Sequence, residues 1–322
     1  DPKRAEQIES RGTGASEAFA HVSSLIRTFL DYLLSAIALT RQKLSALLRV
    51  IRFDKPIGTY LLLAPALWGL IIASEGLPTP FLIFTFIVGA FVMRSAGCTT
   101  NDLTDRKLDG FVERTRNRPL VTGEVSVIEA LCLLFGLLGL ALWLVMQINW
   151  LTVQLSFIGA ALTIVYPFMK RFTHLPQVVL GMAFSWSIPM AFAAATETMP
   201  AGLWWLFLAN LLWVVVYDTQ YAMVDREDDL EVGIKSTAIL FGEADTRIIL
   251  SLQVVCLVCF VATGLSFNLG VIYFLSIAAV AALFIRHQRL ISDRSRETCF
   301  QAFNELSLIH LSEPTRLPPS SY

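Results

Sequence analysis

Long apolar runs separated by short polar segments make up most of this chain. Eight runs of about 16 to 20 residues carry almost no charge, and a helix of about that length crosses the hydrocarbon core of a bilayer. The runs cover residues 57–74, 81–100, 127–146, 150–168, 176–195, 203–222, 247–266 and 270–285. This pattern predicts an all-α, polytopic membrane protein, built as a bundle of eight transmembrane helices.

The composition agrees with a membrane protein rather than with two soluble domains. Hydrophobic residues make up 55% of the 322 positions, charged residues only 16%, and the mean hydropathy is +0.61. A soluble core of this size could not bury so many apolar side chains. The net charge of −1 provides no basic field for a nucleic acid. The five cysteines lie mostly in apolar runs and do not indicate a disulfide framework.

Basic residues are distributed unevenly among the connections between the apolar runs. The connections at 75–80, 147–149, 196–202 and 267–269 contain no Lys or Arg, whereas the connections between them hold many. Because cytoplasmic loops of membrane proteins carry an excess of Lys and Arg, this alternation predicts the orientation of the chain. Both termini and the large polar loops are expected in the cytoplasm.

The two ends of the chain depart from the pattern of long apolar runs. Residues 1–44 form a polar N-terminal extension, and apolar side chains at helical spacing between residues 16 and 52 predict an interfacial amphipathic helix. Residues 305–322 contain three prolines and too few aliphatic side chains for a crossing helix. We therefore expect a membrane domain at 45–304 and a C-terminal tail that does not span the bilayer.

A first group of polar side chains follows the second apolar run, where a charge close to the membrane is costly and therefore points to function. It contains Asn101, Asp102, Asp105 and Asp109. Asn101, Asp105 and Asp109 are four residues apart, so on one continuous helix they would share a face. Asp102 falls outside that register, which favours a supporting or solvated position.

A second group ends the sixth run and contains Asp218, Tyr221, Asp225, Asp228 and Asp229. Offsets of seven and four residues would place Asp218, Asp225 and Asp229 on one helical face. Asp228 is out of register, like Asp102 in the first group. Under the predicted topology, both groups lie at the cytoplasmic end of their runs.

The chemistry of these residues predicts a diphosphate site. Carboxylates at such spacings repel one another unless cations lie between them. Oxygen ligands with room for water suit Mg²⁺, which commonly binds through a few carboxylates together with substrate phosphates. Arg114, Arg118 and Lys235 flank the two groups and could bind an anion. The competing interpretation is two polar loops that are merely solvated.

Four segments resemble those of the UbiA family of intramembrane prenyltransferases, in the same order. The two aspartate segments are NDLTDRKLDGFVERTRNRPLVTG and YDTQYAMVDREDDLEVGIKSTAILFG. The earlier RFDKPIGT and the intervening YPFMKRFTHLPQVVLG narrow the resemblance to the bacterial 4-hydroxybenzoate polyprenyltransferases of ubiquinone biosynthesis. The resemblance extends from about Leu44 to Asn304 and then stops abruptly.

The resemblance implies a helical fold, usually of nine transmembrane helices, around a cavity open to the cytoplasm and laterally to membrane lipid. It implies an enzyme of the bacterial inner membrane whose active site faces the cytoplasm. The expected reaction transfers a polyprenyl group from polyprenyl diphosphate to position 3 of 4-hydroxybenzoate and releases diphosphate. The break after Asn304 predicts that the chain lacks the ninth helix.

The resemblance also implies which residues bind the diphosphate and its metal ions. The Mg²⁺ ligands would be Asn101, Asp105, Asp109, Asp225 and Asp229. The basic side chains that bind the diphosphate would be Arg114, Arg118 and Lys235. In the family, two Mg²⁺ ions bridge the diphosphate between the two aspartate segments.

Three further residues are candidates for contact with the aromatic acid. Arg171 resembles the arginine that holds the aromatic carboxylate, although anchoring at the membrane surface is the alternative. Asp218 lies deeper in its run than the metal ligands and could orient the phenol or accept a proton. Tyr221 could stack beside Asp218, unless it belongs to the interfacial aromatic belt.

Other functions remain open at this point. A member of the same family could use a naphthoate, homogentisate or haem as acceptor. A CDP-alcohol phosphotransferase would carry the pattern DGxxAR…GxxxDxxxD, which this sequence does not contain. A cation- or proton-coupled transporter would favour carboxylates near the middle of the membrane, whereas these lie at the ends of the runs.

Overall fold

The computed structural model describes residues 39–111 and 115–306 of the chain. Within these ranges every regular element is a helix. The chain divides into two compact units, residues 1–49 and 50–322. In the first unit residues 39–49 are helical, and most of the predicted interfacial helix lies outside the described residues.

The second unit is a succession of helices joined by short connections. Its described helices of seven or more residues are α1 (Ile57–Ala73), α2 (Pro80–Asp105), α3 (Val127–Val145), α4 (Trp150–Phe172), α5 (Pro176–Ser185), α6 (Ser187–Thr196), α7 (Leu203–Val224), α8 (Arg226–Val232), α9 (Asp245–Ser266), α10 (Val271–Leu290) and α11 (Arg296–Leu306).

Seven helical segments of the described chain are long and apolar enough to cross a membrane. They correspond to the second through eighth predicted runs, and α5 and α6 together form one of them. The first predicted run corresponds to α1, a shorter apolar helix of 17 residues. The protein is therefore an integral membrane protein with an all-helical fold, and the count of eight crossing helices stays a prediction.

Caps and prolines explain where several helices begin or break. α3 begins with a capping box at Ser126, in which the cap and a glutamate three residues later bond reciprocally. α4 begins at Asn149, whose side chain accepts a backbone hydrogen bond from the first turn. Residues 176–195 were predicted as one run but form two helices that meet at Trp186. Pro189 explains the break, because it has no N–H to continue the helical hydrogen bonds.

α7 is the centre of the bundle. It packs against α5, α9 and α11, and its residues Leu206, Val214 and Tyr217 are buried in the largest hydrophobic cluster. α5 approaches α7 closely, since a Cβ added to Gly181 would lie 3.0 Å from Leu211 O. This packing fixes the polar end of α7, which carries part of the second aspartate group.

α11 closes the described part of the chain and packs against α7 and α10. It ends at Leu306, two residues beyond Asn304, the predicted end of the family resemblance. Phe303 contacts the rings of Tyr217 and Tyr221 on α7. Residues 307–322 lie outside the described residues, so the predicted absence of a ninth transmembrane helix stays a prediction.

Candidate active site

The first aspartate group does not lie on one continuous helix. α2 ends at Asp105, the chain turns through residues 106–108, and Asp109 begins a separate one-turn helix. The predicted common helical face of Asn101, Asp105 and Asp109 is therefore wrong. A longer helix would stack these side chains in one row, whereas the turn lets the Asp109 carboxylate reach Arg118 at 2.6 Å.

Asp102 is the centre of a buried ion-pair network behind this group. Its side chain is 1% exposed and lies 2.7 Å from Arg52 Nη2 and 3.2 Å from Arg118 Nη1. Arg118 Nη1 also donates to Asp109 Oδ2. Asp102 is thus not solvated but forms ion pairs with two arginines. Arg118, a predicted diphosphate ligand, is thereby held between two carboxylates.

Asp109 lies in an environment that favours a further positive partner. Burial raises the pKa of Asp109 above its usual value, and the Arg118 guanidinium opposes that shift. The ionised carboxylate is therefore costly at this position when Arg118 is its only cation. A second cation near Asp109 would offset that cost.

The second aspartate group is also interrupted. α7 ends at Val224, and Asp225 joins it to α8 with a backbone conformation outside the helical range. The predicted common face of Asp218, Asp225 and Asp229 is therefore wrong, although Asp229 N still donates to Asp225 O at 2.8 Å. α8 ends at Gly233, whose φ of +73° is a left-handed conformation that glycine adopts without strain.

A single cavity of about 140 Å³ nevertheless collects residues from both groups. The predicted site residues that line it are Asn101, Asp105, Asp109, Arg118, Asp218, Tyr221, Asp225, Asp229 and Lys235. Six carboxylates and three basic side chains face this space. The excess of negative charge suits cations that arrive together with an anionic substrate.

Two predicted site residues are not part of the described lining. Arg114 lies outside the described residues. Arg171 is about half exposed, and its Nη2 donates to Thr104 O at 2.6 Å and lies 3.7 Å from Asp105 Oδ1. In the structure Arg171 therefore braces the end of α2 beside the cavity.

Lys170, which was not predicted as a site residue, lines the cavity. Its Nζ lies 3.5 Å from Asn101 Oδ1 and 3.7 Å from Asp105 Oδ2. The ammonium also lies 5.9 Å from the centroid of the Tyr166 ring, one helical turn earlier. The available signal was the spacing of Tyr166 and Lys170, but a basic residue at the end of a membrane helix normally indicates anchoring.

Asp218 and Tyr221 lie on the last two turns of α7. The ring of Tyr221 packs against Phe303 of α11, with centroids 4.7 Å apart. Lys170 attracts the Asp218 carboxylate electrostatically. The backbone N–H of Lys235 donates to Lys170 O at 3.1 Å, which places the two basic residues side by side.

The site offers suitable donors for a metal ion rather than a finished coordination sphere. Among the residues that the structure describes, no three carboxylate, imidazole or thiol groups are close enough to hold one ion. Like-charged carboxylates repel one another, and Asp105 and Asp109 are instead drawn toward Lys170 and Arg118. The donors are nevertheless hard oxygens with excess negative charge, which fits Mg²⁺.

The sequence is similar to a family of known enzymes. Residues 62–311 match the UbiA prenyltransferase family, so the match extends beyond Asn304, the predicted end of the resemblance. The chain is 54% identical over 264 residues to a 4-hydroxybenzoate octaprenyltransferase of Shewanella loihica, and the match covers 82% of this chain and 92% of that protein.

Solved structures of UbiA homologues have a similar fold. A UbiA homologue from Aeropyrum pernix K1 has a TM-score of 0.69 at 26% identity, covering 77% of this chain and 94% of the homologue. A UbiA homologue from Archaeoglobus fulgidus, bound to GPP and Mg²⁺, has a TM-score of 0.64 at 19% identity, covering 81% and 95%. Sequence and fold agree, and the chain belongs to the UbiA prenyltransferase family.

Proposed function

We propose that this protein transfers a polyprenyl group from polyprenyl diphosphate to the ring carbon ortho to the hydroxyl of 4-hydroxybenzoate, in ubiquinone biosynthesis. Diphosphate is the second product. The observation that carries the proposal is the meeting of two aspartate groups, distant in sequence, with three basic side chains in one cavity. The 54% identity to a 4-hydroxybenzoate octaprenyltransferase supports this acceptor.

We assign the metal role to Mg²⁺. The residues that would hold it are Asn101, Asp105, Asp109, Asp225 and Asp229. When bound there, Mg²⁺ would supply positive charge to the diphosphate oxygens as the allylic C–O bond breaks. The hard oxygen donors of the cavity support this assignment, as does the homologue bound to GPP and Mg²⁺.

The basic side chains of the cavity bind the diphosphate oxygens. Arg118 is held between Asp102 and Asp109, so little reorganisation is needed when the anion arrives. Lys170 and Lys235 line the same cavity. Lys235 is assigned to the diphosphate, and Lys170 joins it there if Arg171 holds the carboxylate of the aromatic acid. Arg114 is proposed as a further diphosphate ligand from the sequence resemblance.

The acceptor ring lies beside Asp218 and Tyr221 in this proposal. Electron donation from the phenol oxygen makes the ortho ring carbon nucleophilic, and this carbon forms the new C–C bond. Asp218 orients the phenol and accepts the proton whose loss restores aromaticity. Tyr221, packed against Phe303, provides a fixed wall for the ring. The surrounding apolar helices keep water away from the allylic cation.

Arg171 and Lys170 are competing partners for the carboxylate of the aromatic acid. Arg171→Ala should raise the KM for 4-hydroxybenzoate by at least tenfold and leave that for the prenyl diphosphate within twofold, if Arg171 is the partner. If Lys170→Ala gives that result instead, the carboxylate binds inside the cavity and Arg171 only supports α2. Equal effects of Arg171→Ala on both substrates would reject the proposed role.

We propose that the cavity faces the cytoplasm from the bacterial inner membrane. Single cysteine labels at Glu75, Asn149 and Thr196, in connections without basic residues, should react from the periplasmic side. A label at Arg116 should react only from the cytoplasm. A reversed pattern would contradict this orientation.

The reaction is tested with purified protein, a polyprenyl diphosphate, 4-hydroxybenzoate and MgCl₂, by detecting both the prenylated acid and diphosphate. Asp229→Ala should lower turnover at least a hundredfold, because it removes a metal ligand. Glu231→Ala, on the same helix but exposed and outside the cavity, is the matched control and should retain turnover within twofold. Equal turnover of the two variants would reject the site.

The same assay separates the alternatives. A panel of aromatic acceptors distinguishes 4-hydroxybenzoate from the acceptors of other family members. A cation-coupled transporter would bind the cation without releasing diphosphate. Chelation of Mg²⁺ with EDTA should stop product formation, and added MgCl₂ should restore it.

A further inference from the structure

A second cavity lies between α9 and α10, and none of its residues lines the cavity of the aspartate groups. It is an open groove of about 550 Å³. Its apolar lining consists of Leu250, Val254, Leu257, Ala281, Phe284 and Ile285. Phe284 is buried and forms the floor, whereas Val254 and Ile285 are 52% and 58% exposed and form open walls. The groove therefore faces the surroundings of the bundle.

The lining of this groove changes from polar to apolar along the helices. Arg289 and Ser292 lie at the end where α10 finishes, and the side-chain amides of Gln253 and Gln288 lie next to each other, 2.9 Å apart. Beyond them the lining is apolar as far as Ala281, and Leu250 is an apolar lining residue on the polar side of the amides. The eight helical steps from Ala281 to Arg289 correspond to about 12 Å of helix, slightly less than one leaflet of hydrocarbon.

Two polar groups in the groove have no partner in the described structure. The Arg289 guanidinium forms no ion pair with any described residue, whereas Arg286, on the same helix, is paired with Glu305. Gln253 is 1% exposed, and one polar atom of its side-chain amide has no hydrogen-bond partner among the described residues. A buried polar atom without a partner is costly, so a ligand that forms a hydrogen bond with this amide would stabilise the site.

We propose that the groove binds one anionic phospholipid from the leaflet on the side of the aspartate groups. The order of the lining matches the order of groups along a phospholipid. Arg289 binds the phosphate, the amides of Gln253 and Gln288 face the ester carbonyls, and an acyl chain lies along the apolar walls. A zwitterionic lipid leaves the positive charge of Arg289 only partly compensated and therefore binds less tightly.

Native mass spectrometry of protein released from nanodiscs with equal phosphatidylglycerol and phosphatidylcholine tests this proposal. The wild type should retain one phosphatidylglycerol in preference to phosphatidylcholine. Arg289→Gln should lower that retention at least tenfold, and Arg289→Lys should restore part of it. Arg247→Gln is the matched control, because Arg247 lies at the same end of α9 but outside the groove. It should retain lipid like the wild type.

A second pair of variants tests the groove independently of its charge. Ala281→Phe fills the apolar end and should expel the lipid, whereas Ala282→Phe, on the exposed neighbouring position, should not. The proposal is overturned by equal retention of both lipids in the wild type, or by equal losses in the Arg289 and Arg247 variants. It is also overturned if the groove is found to be covered by a second copy of the chain.

Discussion

The two aspartate groups meet in one cavity, but different kinds of ion pairs hold them. Behind the first group, the buried carboxylate of Asp102 joins Arg52 and Arg118, whose side chains are less than a fifth exposed. In the second group, Asp228 and Asp229 lie on α8, and exposed ion pairs hold this short helix. There, Arg296 pairs with Glu227 and Asp228, and all three side chains are about half exposed or more.

A further pair of ion contacts, both to Asp245, connects the first residue of α8 to the first residue of α9 and to the segment that follows α10. Arg226, the first residue of α8, lies 2.5 Å from a carboxylate oxygen of Asp245, and Arg294 contacts the same carboxylate at 3.0 Å. Asp245 is fully buried, but Arg294 is 40% exposed. The exposure of these two ion pairs is therefore intermediate between that of the buried network of the first group and that of the exposed pairs of α8.

The difference indicates how rigid each half of the site is. Ion pairs removed from water hold their geometry and are little affected by salt, whereas exposed pairs are screened and contribute little. We expect the side chains of the first group to keep their positions when substrate binds, and we expect α8 to move. The measurements on Asp102, Asp245 and Arg296 test that expectation, and one on Glu305 extends the comparison to α11.

The largest effect is expected for Asp102→Ala. The change leaves Arg52 and Arg118 without their shared buried carboxylate and should lower the free energy of unfolding by about 3–5 kcal/mol. Thermal unfolding in detergent measures this loss. Asp54→Ala, an exposed carboxylate close to Arg52 in sequence, is the control and should change stability by less than about 0.5 kcal/mol.

A smaller effect is expected for Asp245→Ala. It should lower the free energy of unfolding by about 1.5–3 kcal/mol, because Arg226 and Arg294 can turn toward water once their partner is removed. The KM for the prenyl diphosphate should rise as well, since α8 loses its anchor. Glu243→Ala is the control, as its side chain is exposed. A loss equal to that of Asp102→Ala would contradict the proposed difference between the two groups.

The attachment of α11 should depend on pH. Hydrogen bonds from Arg286 hold the pKa of Glu305 below its usual value of 4.5. A carboxylate with a lowered folded-state pKa contributes its stability above pH 4.5 and loses it as the pH falls through the folded value. Glu305→Gln should therefore be less stable than the wild type at pH 7, by less than about 1 kcal/mol, and this difference should shrink below pH 4.5. Glu297→Gln, exposed on the same helix, should show no such convergence.

The smallest effect is expected for Arg296→Gln. Its partners are exposed, so the free energy of unfolding should fall by no more than about 0.5 kcal/mol, and raising the salt concentration should remove the difference. Thermal unfolding at low and high NaCl measures both. A loss above 2 kcal/mol would show that α8 is held as firmly as the first group.

The helices were largely predictable from the sequence, because long apolar runs and capping residues are local signals. The endings of α2 and α7 were not. The periodic pattern predicts that α2 continues through Asp109 and that α7 continues through Asp225, whereas both helices end earlier. Periodicity is a local pattern and carries no information about the distant ion pairs that favour a turn. Pro189 was a local signal for the break at Trp186, but the run was predicted as one helix because its composition is apolar throughout.

The residues that line the cavity were only partly predictable from the sequence. The aspartates were evident because carboxylates are rare at the ends of membrane helices. Lys170 was not recognised as part of the site, and Asp102 was predicted only to be supporting or solvated, since their contacts are with side chains fifty or more residues away. Arg171, adjacent to Lys170, carries the same charge, and sequence cannot show which of two neighbours points inward.

The ion pairs of the first group have a consequence for biogenesis. Arg52, Asp102 and Arg118 all belong to the first part of the chain to be inserted, so their network can assemble while the ribosome is still synthesising the rest. Asp225 emerges about 110 residues after Arg118, a delay of roughly 5 to 20 s at ordinary rates of translation. During that interval Asp102 and Asp109 already have arginine partners, and these two buried charges are not left unpaired in the nascent membrane segment.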